Sequence, residues 1–239
     1  MTSLPSVAAV AATIDHAILK PELTLEEVDS QLDVARRLGL FSVCVRPSDV
    51  AHAVARLDGS GVAVGTVIGF PHGTTSTAGK VAEVRQALAD GAVELDMVVS
   101  IGRLRSGMLD DVEADVRAVV DAADGHVVKV ILETALLDDD QVVAGCRAAE
   151  RAGAHFVKTS TGFAGGGATA HHIALMRGAV SESVQVKASG GVRGLDTLLE
   201  LSDLGATRFG TSASDVILAD LQARHEGEAP TGAEDTSSY

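Results

Sequence analysis

Lysine is scarce in this chain, and most of it stands where a charge is out of place. The nineteen basic residues include only five lysines (Lys20, Lys80, Lys129, Lys158 and Lys187), and Lys129, Lys158 and Lys187 fall inside apolar, β-rich runs. HFVKTSTGF puts Lys158 at the C-terminal end of one run, and VQVKASGGVR puts Lys187 at the matching place in the next. Neighbouring strands lie about 4.8 Å apart, so two inward lysines at similar heights would feel each other. Burial and a nearby cation both disfavour the charged form, leaving free amine near neutral pH. A free amine attacks a carbonyl to form a Schiff base. The competing reading makes these lysines structural partners of Asp96 or Glu133, or lets them carry their charge to the rim. Two lysines at matching positions weaken it.

Asp96 in VELDMVV is a carboxylate in an otherwise apolar run. Alone it fits a salt-bridge partner as well as an acid–base group; beside two lysines, proton relay through a bound water is the better reading. Lys129 and Glu133 in VVKVILET share that polar layer, suited equally to shaping its field and to direct catalysis.

Those side chains need a scaffold. β-Rich runs occur at Thr13–Leu19, Phe41–Val45, Val62–Ile68, Val93–Val98, Val127–Leu132, His155–Lys158, Val184–Ala188 and Thr207–Gly210. Between them apolar residues recur at helical spacing. Leu25, Val28, Leu32, Ala35 and Leu38 make one such stripe, opened by Thr24 with Glu27 in capping-box register. Gly39, Gly59, Gly91, Gly125, Gly153 and Gly205 each follow such a segment, where a left-handed helix end is wanted. Eight strands alternating with helices in 239 residues predict a single (β/α)8 TIM barrel over residues 1–225. An open doubly wound sheet is the rival, but no G-x-G-x-x-G follows the first strand. Residues 226–239, acidic and rich in small side chains, read as a flexible tail ending in Tyr239.

In a barrel the active site lies at the C-terminal strand ends. That selects Asp15 and Lys20, Arg46, Asp96, Lys129, Glu133, Lys158 and Lys187. Gly190–Gly191 and Gly210–Thr211–Ser212 then fall after strands 7 and 8, where barrels commonly hold phosphate on backbone N–H groups. Gly162 adds a third element, and Arg193 fits either a phosphate counter-charge or an exposed helix start.

A formal charge of −14 argues against nucleic acid as a partner. No apolar run is long enough for a membrane span, and residues 1–12 lack the marks of a secretory signal, which favours the cytoplasm. Cys44 and Cys146 read as reduced thiols in or near the core. The histidines are scattered, with His171–His172 as a surface pair at a helix start, and no spacing suggests zinc.

At these residues the chain resembles the deoxyribose-phosphate aldolases, class I aldolases, along almost its whole length. The resemblance rests on IDHAILKP, SVCVRP, VIGFPHG, GAVELDMVVSIGRLRSG, KVILET, FVKTSTGF, VKASGGVR and RFGTSAS, in that order. It implies that Lys158 forms the Schiff base, that Lys187 lowers its basicity and that Asp96 moves protons through water. It also implies cleavage of 2-deoxy-D-ribose 5-phosphate to D-glyceraldehyde 3-phosphate and acetaldehyde, no metal or other cofactor, and a homodimer. Tyr239, the only tyrosine, matches members whose C-terminal tyrosine assists protonation at the acetaldehyde carbon. Arg46 and Ser100 stand where asparagine is usual, and Ala213 where some members have serine. Two other readings stay open: an aldolase for another aldehyde, and a silent barrel that binds a sugar phosphate.

Overall fold

The computed structural model describes residues 4–229. Its first element is a helix that the sequence reading did not anticipate, α1 (Val7–Ala11). Five residues are too few to show a period, and the signal that could have found it is Ser6, whose hydroxyl accepts the Ala9 amide as an N-cap.

The elements then alternate: β1 (Ile14–Ile18), α2 (Leu25–Leu38), β2 (Ser42–Val45), α3 (Val50–Arg56), β3 (Ala63–Ile68), α4 (Thr77–Ala89) and β4 (Glu94–Val98). A short α5 (Ile101–Arg105) precedes α6 (Leu109–Ala122), followed by β5 (Val127–Ile131), α7 (Asp139–Arg151) and β6 (Phe156–Lys158). The chain continues through α8 (Ala170–Ala179), β7 (Gln185–Ser189), α9 (Leu195–Asp203), β8 (Ala206–Thr211) and α10 (Ser214–His225). Every strand is parallel to its neighbours, and β8 pairs with β1 to close the barrel. Each strand ends within one residue of its expected run.

The helices follow from local chemistry. Thr24 and Glu27 form the expected capping box, and Gly39 ends α2 in the left-handed region at φ 60°. Val28, Leu32 and Ala35 are buried and Leu38 packs partly buried against the core, but Leu25, the first residue of α2, is exposed. The other five helix-ending glycines all have positive φ.

Alternation along each strand sends one face to the helices and one to the barrel interior. The outward face (Ile14, Val43, Val45, Leu95, Met97, Val128, Val130, Val157, Val186 and Phe209) forms the apolar core with α2 to α10. The inward face differs from the usual branched aliphatic filling. It carries Asp15, Ser42, Glu94, Asp96, Lys129, Lys158, Lys187 and Arg208, all buried. Ala17, Leu19, Cys44 and Val67 make a small apolar cluster on the β1–β3 side. Gly65 is the inward residue of β3 beside Glu94, and a side chain there would stand 3.1 Å from the Glu94 carbonyl.

Among the described residues no helix is long and apolar enough to cross a membrane. Both cysteines are buried free thiols. Tyr239 and positions 230–238 of the expected tail lie outside the described residues.

Candidate active site

β6 and β7 pair so that Lys158 lies directly opposite Lys187. Both amines donate to one oxygen, Asp96 Oδ2, at 2.7 and 2.8 Å. Asp96 Oδ1 accepts from Lys129 Nζ at 2.8 Å. Lys187 also donates to Asp15 Oδ2, and Ser42 Oγ donates to Asp15 Oδ1 at 2.7 Å. Below this layer Lys129 donates to Glu94 Oε2 at 2.6 Å, and Arg208 Nη1 reaches Asp15 Oδ1 at 2.7 Å and Glu94 Oε2 at 3.2 Å. The guanidinium rests on the Phe41 ring, 3.6 Å from its centroid, a cation–π seat at the floor of the interior.

Burial and charge set the protonation of each group. Burial alone would raise the Asp96 carboxyl, but Lys129, Lys158 and Lys187 overcome it and hold the pKa well below the usual carboxylate range. Asp15 is treated the same way: burial raises it, and Lys187, Lys129 and Arg208 pull it down. Burial lowers all three lysines, but the balance differs. In Lys129 the three carboxylates win and the pKa rises. In Lys187, Asp15 and Asp96 win, with the same result. In Lys158 burial outweighs Asp96, Lys187 adds to the lowering, and the pKa falls. The interior therefore combines one amine whose hold on its proton is weakened with a neighbour whose hold is strengthened. An amine so placed can attack a carbonyl when it is unprotonated.

The remaining expected residues divide. Glu133 lies just beyond β5, not in it, with a left-handed φ of 61°. That backbone turn swings its carboxylate to the amide and hydroxyl of Thr161, and burial raises its pKa. It clamps the loop after Lys158 and joins the lysine network by no hydrogen bond, only through the field of Lys158, which opposes the effect of burial. Gly190 and Gly191 have φ of 77° and 75°, and a Cβ at Gly167 would stand 2.3 Å from the Gly190 carbonyl oxygen. The β6 and β7 loops thus meet backbone to backbone, which only glycine permits. Gly162, at φ 89°, belongs to the same β6 loop. Gly210 is inside β8, not in the loop after it; a Cβ there would meet Ser189 Cβ at 3.0 Å and Lys187 Cε at 3.3 Å. It makes room for the lysine. Ser212 is half-buried just before α10.

Arg46 stands apart from the lysine cluster. It pairs with Asp49 at 2.6 Å and donates to the carbonyls of Lys20, Pro21 and Leu23, pinning the loop after β1. Ser100 stands at the start of α5 without capping it. The Ala213 amide donates to Thr211 Oγ1 at 2.9 Å.

Sequence reasoning missed Glu94 and Arg208. Their signal was period two: Glu94 precedes Asp96 by two residues, and Arg208 precedes Gly210 by two, so each shares its partner's inward face. It also missed Lys80, a fourth buried lysine, which donates to Asp115 Oδ2 at 2.6 Å and the Val98 carbonyl at 2.8 Å. Lys80 sits in a helix, where an apolar-run criterion cannot see it. The Ser160 hydroxyl is buried beside Gly190 with no hydrogen-bond partner among the described residues.

The model of the DeoC/LacD family aldolases matches residues 9–210. Deoxyribose-phosphate aldolase 2 of Staphylococcus aureus strain MRSA252 is 52% identical over 213 residues, spanning 89% of this chain and 97% of the relative. The deoxyribose-phosphate aldolase of Staphylococcus haemolyticus strain JCSC1435 is 49% identical over the same shares. The tetrameric deoxyribose phosphate aldolase of Aeropyrum pernix superposes with a TM-score of 0.86 at 31% identity, covering 92% of this chain and 94% of that one. Matched along the whole barrel in sequence and in three dimensions, this chain belongs to the DeoC/LacD family of aldolases.

Proposed function

We propose that this aldolase is a class I, Schiff-base enzyme that reversibly cleaves 2-deoxy-D-ribose 5-phosphate to D-glyceraldehyde 3-phosphate and acetaldehyde, in deoxynucleoside breakdown. The observation that carries the reading is the lysine pair on one carboxylate oxygen, with burial and Lys187 depressing the basicity of Lys158 alone. The relatives' names supply the sugar phosphate.

The amine of Lys158 attacks C1 of the open-chain sugar, giving a carbinolamine that loses water to an iminium. Asp96, held ionised by three lysines, is the proton acceptor through a bound water in these steps. The iminium draws the electrons of the C2–C3 bond as the 3-hydroxyl gives up its proton, and D-glyceraldehyde 3-phosphate (C3 to C5) leaves. The remaining enamine takes a proton at C2, with Tyr239 assisting, and water hydrolyses the iminium to acetaldehyde and free Lys158. The glycines at 162, 190 and 191 and Ser212 hold the phosphate, with Arg193 nearby as counter-charge. The same reading makes the enzyme a cytoplasmic homodimer; light scattering that reports a tetramer, the assembly of the Aeropyrum pernix relative, would correct that part.

Borohydride added with 2-deoxy-D-ribose 5-phosphate should leave a reduced two-carbon adduct on the peptide that contains Lys158. An adduct on Lys187, or none in the wild type, would sink the assignment. Lys158→Ala should abolish acetaldehyde release and keep the circular dichroism spectrum. A panel of aldehydes with and without the 5-phosphate separates this substrate from others.

A further inference from the structure

Glu94 and Arg208 are buried in the barrel interior, yet neither touches Lys158, and the chemistry above uses neither. What they do follows from counting the groups around the amine, strand by strand. β1 supplies Asp15 and β2 supplies Cys44, whose thiol burial pushes up to about 11, so it carries no charge at neutral pH. The inward residues of β3 include no titratable group. β4 supplies Glu94 and Asp96, β5 supplies Lys129, β7 supplies Lys187 and β8 supplies Arg208. Glu133, past β5, is turned to Thr161 and makes no hydrogen bond to this cluster; its carboxylate still feels the Lys158 charge from outside the lattice, a background that the substitutions below leave in place.

The connected lattice thus holds three carboxylates (Asp15, Glu94, Asp96) and four cations. The cations are not held equally. Lys129 has three carboxylates, at 2.6, 2.8 and 3.5 Å. Lys187 has two, and so does Arg208. Lys158 has one, on an oxygen that Lys187 already occupies. Arginine cannot give up its proton in a protein, so the surplus charge falls on the least-held lysine.

We propose that Glu94 and Arg208 are positioning residues that set the working pH of the enzyme, fixing the interior at three carboxylates against three retained cations so that Lys158 is the amine left neutral. The inference rests on the Schiff-base reading. It assigns Arg208 a remote role: its charge satisfies Asp15 and Glu94 from below, which would otherwise hold a third lysine proton. Glu94 acts with the opposite sign.

The test is the acid limb of the pH profile of kcat/KM for deoxyribose-phosphate cleavage, which reports the free enzyme's essential groups. Arg208→Gln should move that limb to higher pH by about one unit, and Glu94→Gln should move it lower by a similar amount. The double variant should bring it back to the wild-type position, and Arg208→Lys, which keeps the charge, should leave it there. Loss of packing alone would lower the amplitude in each variant without moving the limbs in opposite directions. Limbs that stay put, or that move together, overturn the proposal. If Arg208→Gln does not fold, a limb in Glu94→Gln that fails to move downward overturns it by itself. Borohydride trapping in the wild type keeps the two readings apart: no adduct sinks the Schiff base, whereas an adduct on Lys158 with unmoved limbs sinks only this assignment.

Discussion

Lys158 and Lys187 are the same residue type in the same register on adjacent strands, yet their pKa values move in opposite directions. The difference lies in carboxylate contacts. Asp15 reaches Lys187 and not Lys158, so Lys187 keeps its proton and its field bears on its neighbour. Lys187→Met should therefore let the Lys158 pKa rise. Free amine at pH 7 then becomes scarcer, and each unit of rise costs about tenfold in the reactive form. The expected outcome is a kcat/KM at pH 7 at least about tenfold lower, partly recovered at pH 9. Loss that is equal at every pH would show that Lys187 acts by contact with substrate and not through its charge.

At the scale of elements, β8 and the paired β6 and β7 loops show what glycine is for in this barrel. Gly210 looks like part of a phosphate loop because it precedes Thr211 and Ser212, but it is an inward strand position over which the Lys187 side chain passes. Its φ is not in the left-handed region, so alanine is conformationally allowed there. Gly210→Ala should thus fold, shift Lys187 by a few tenths of an ångström and lower kcat by about tenfold or more, since small misplacements near a reacting group are costly. KM for the phosphorylated substrate should change little. A large rise in KM with kcat intact would return Gly210 to the phosphate site. Lys80 shows a second element-scale device. Its stem passes against Gly69 after β3, and its amine holds the Val98 carbonyl at the end of β4 and the Asp115 carboxylate of α6. One buried ion pair joins α4 to α6 and reaches the exits of two strands.

At the scale of the molecule, a barrel filled with charge is stable only while that charge is paired. Asp15 and Asp96 are held below their usual pKa, so the unfolded chain binds protons that the folded one refuses. Their stabilisation is present above the unfolded value of about 3.9 and is lost as pH falls below it. The urea midpoint should hold from pH 8 to pH 5 and fall steeply below about pH 4. Relief of repulsion in a chain with a formal charge of −14 pushes the other way on acidification, so a steep drop is assignable to the buried pairs. A midpoint that stays flat to pH 3 would show that they add no stability. Lys158 has the opposite signature to its neighbours. Its lowered pKa means that folding releases its proton, so its contribution improves as pH rises toward the unfolded lysine value of about 10.4.

The sequence by itself determined the strand count, the strand boundaries to within a residue, the lysine pair and the resemblance that names the reaction. Period two and helix-ending glycines are local signals, and Lys158 and Lys187 sit on consecutive strands whose register follows from matching apolar runs. Only the tertiary structure decided which carboxylate holds which cation. Asp15 meets Lys187 across 172 residues because β8 closes on β1, and no local pattern encodes closure or the stagger that sets which inward residues share a layer. The same holds for Glu94 and Arg208, for the backbone turn that takes Glu133 out of the lysine layer, and for Lys80 on its helix. Alternation states which face a side chain is on. What else lies on that face, and therefore which lysine loses its proton, is a property of the closed barrel.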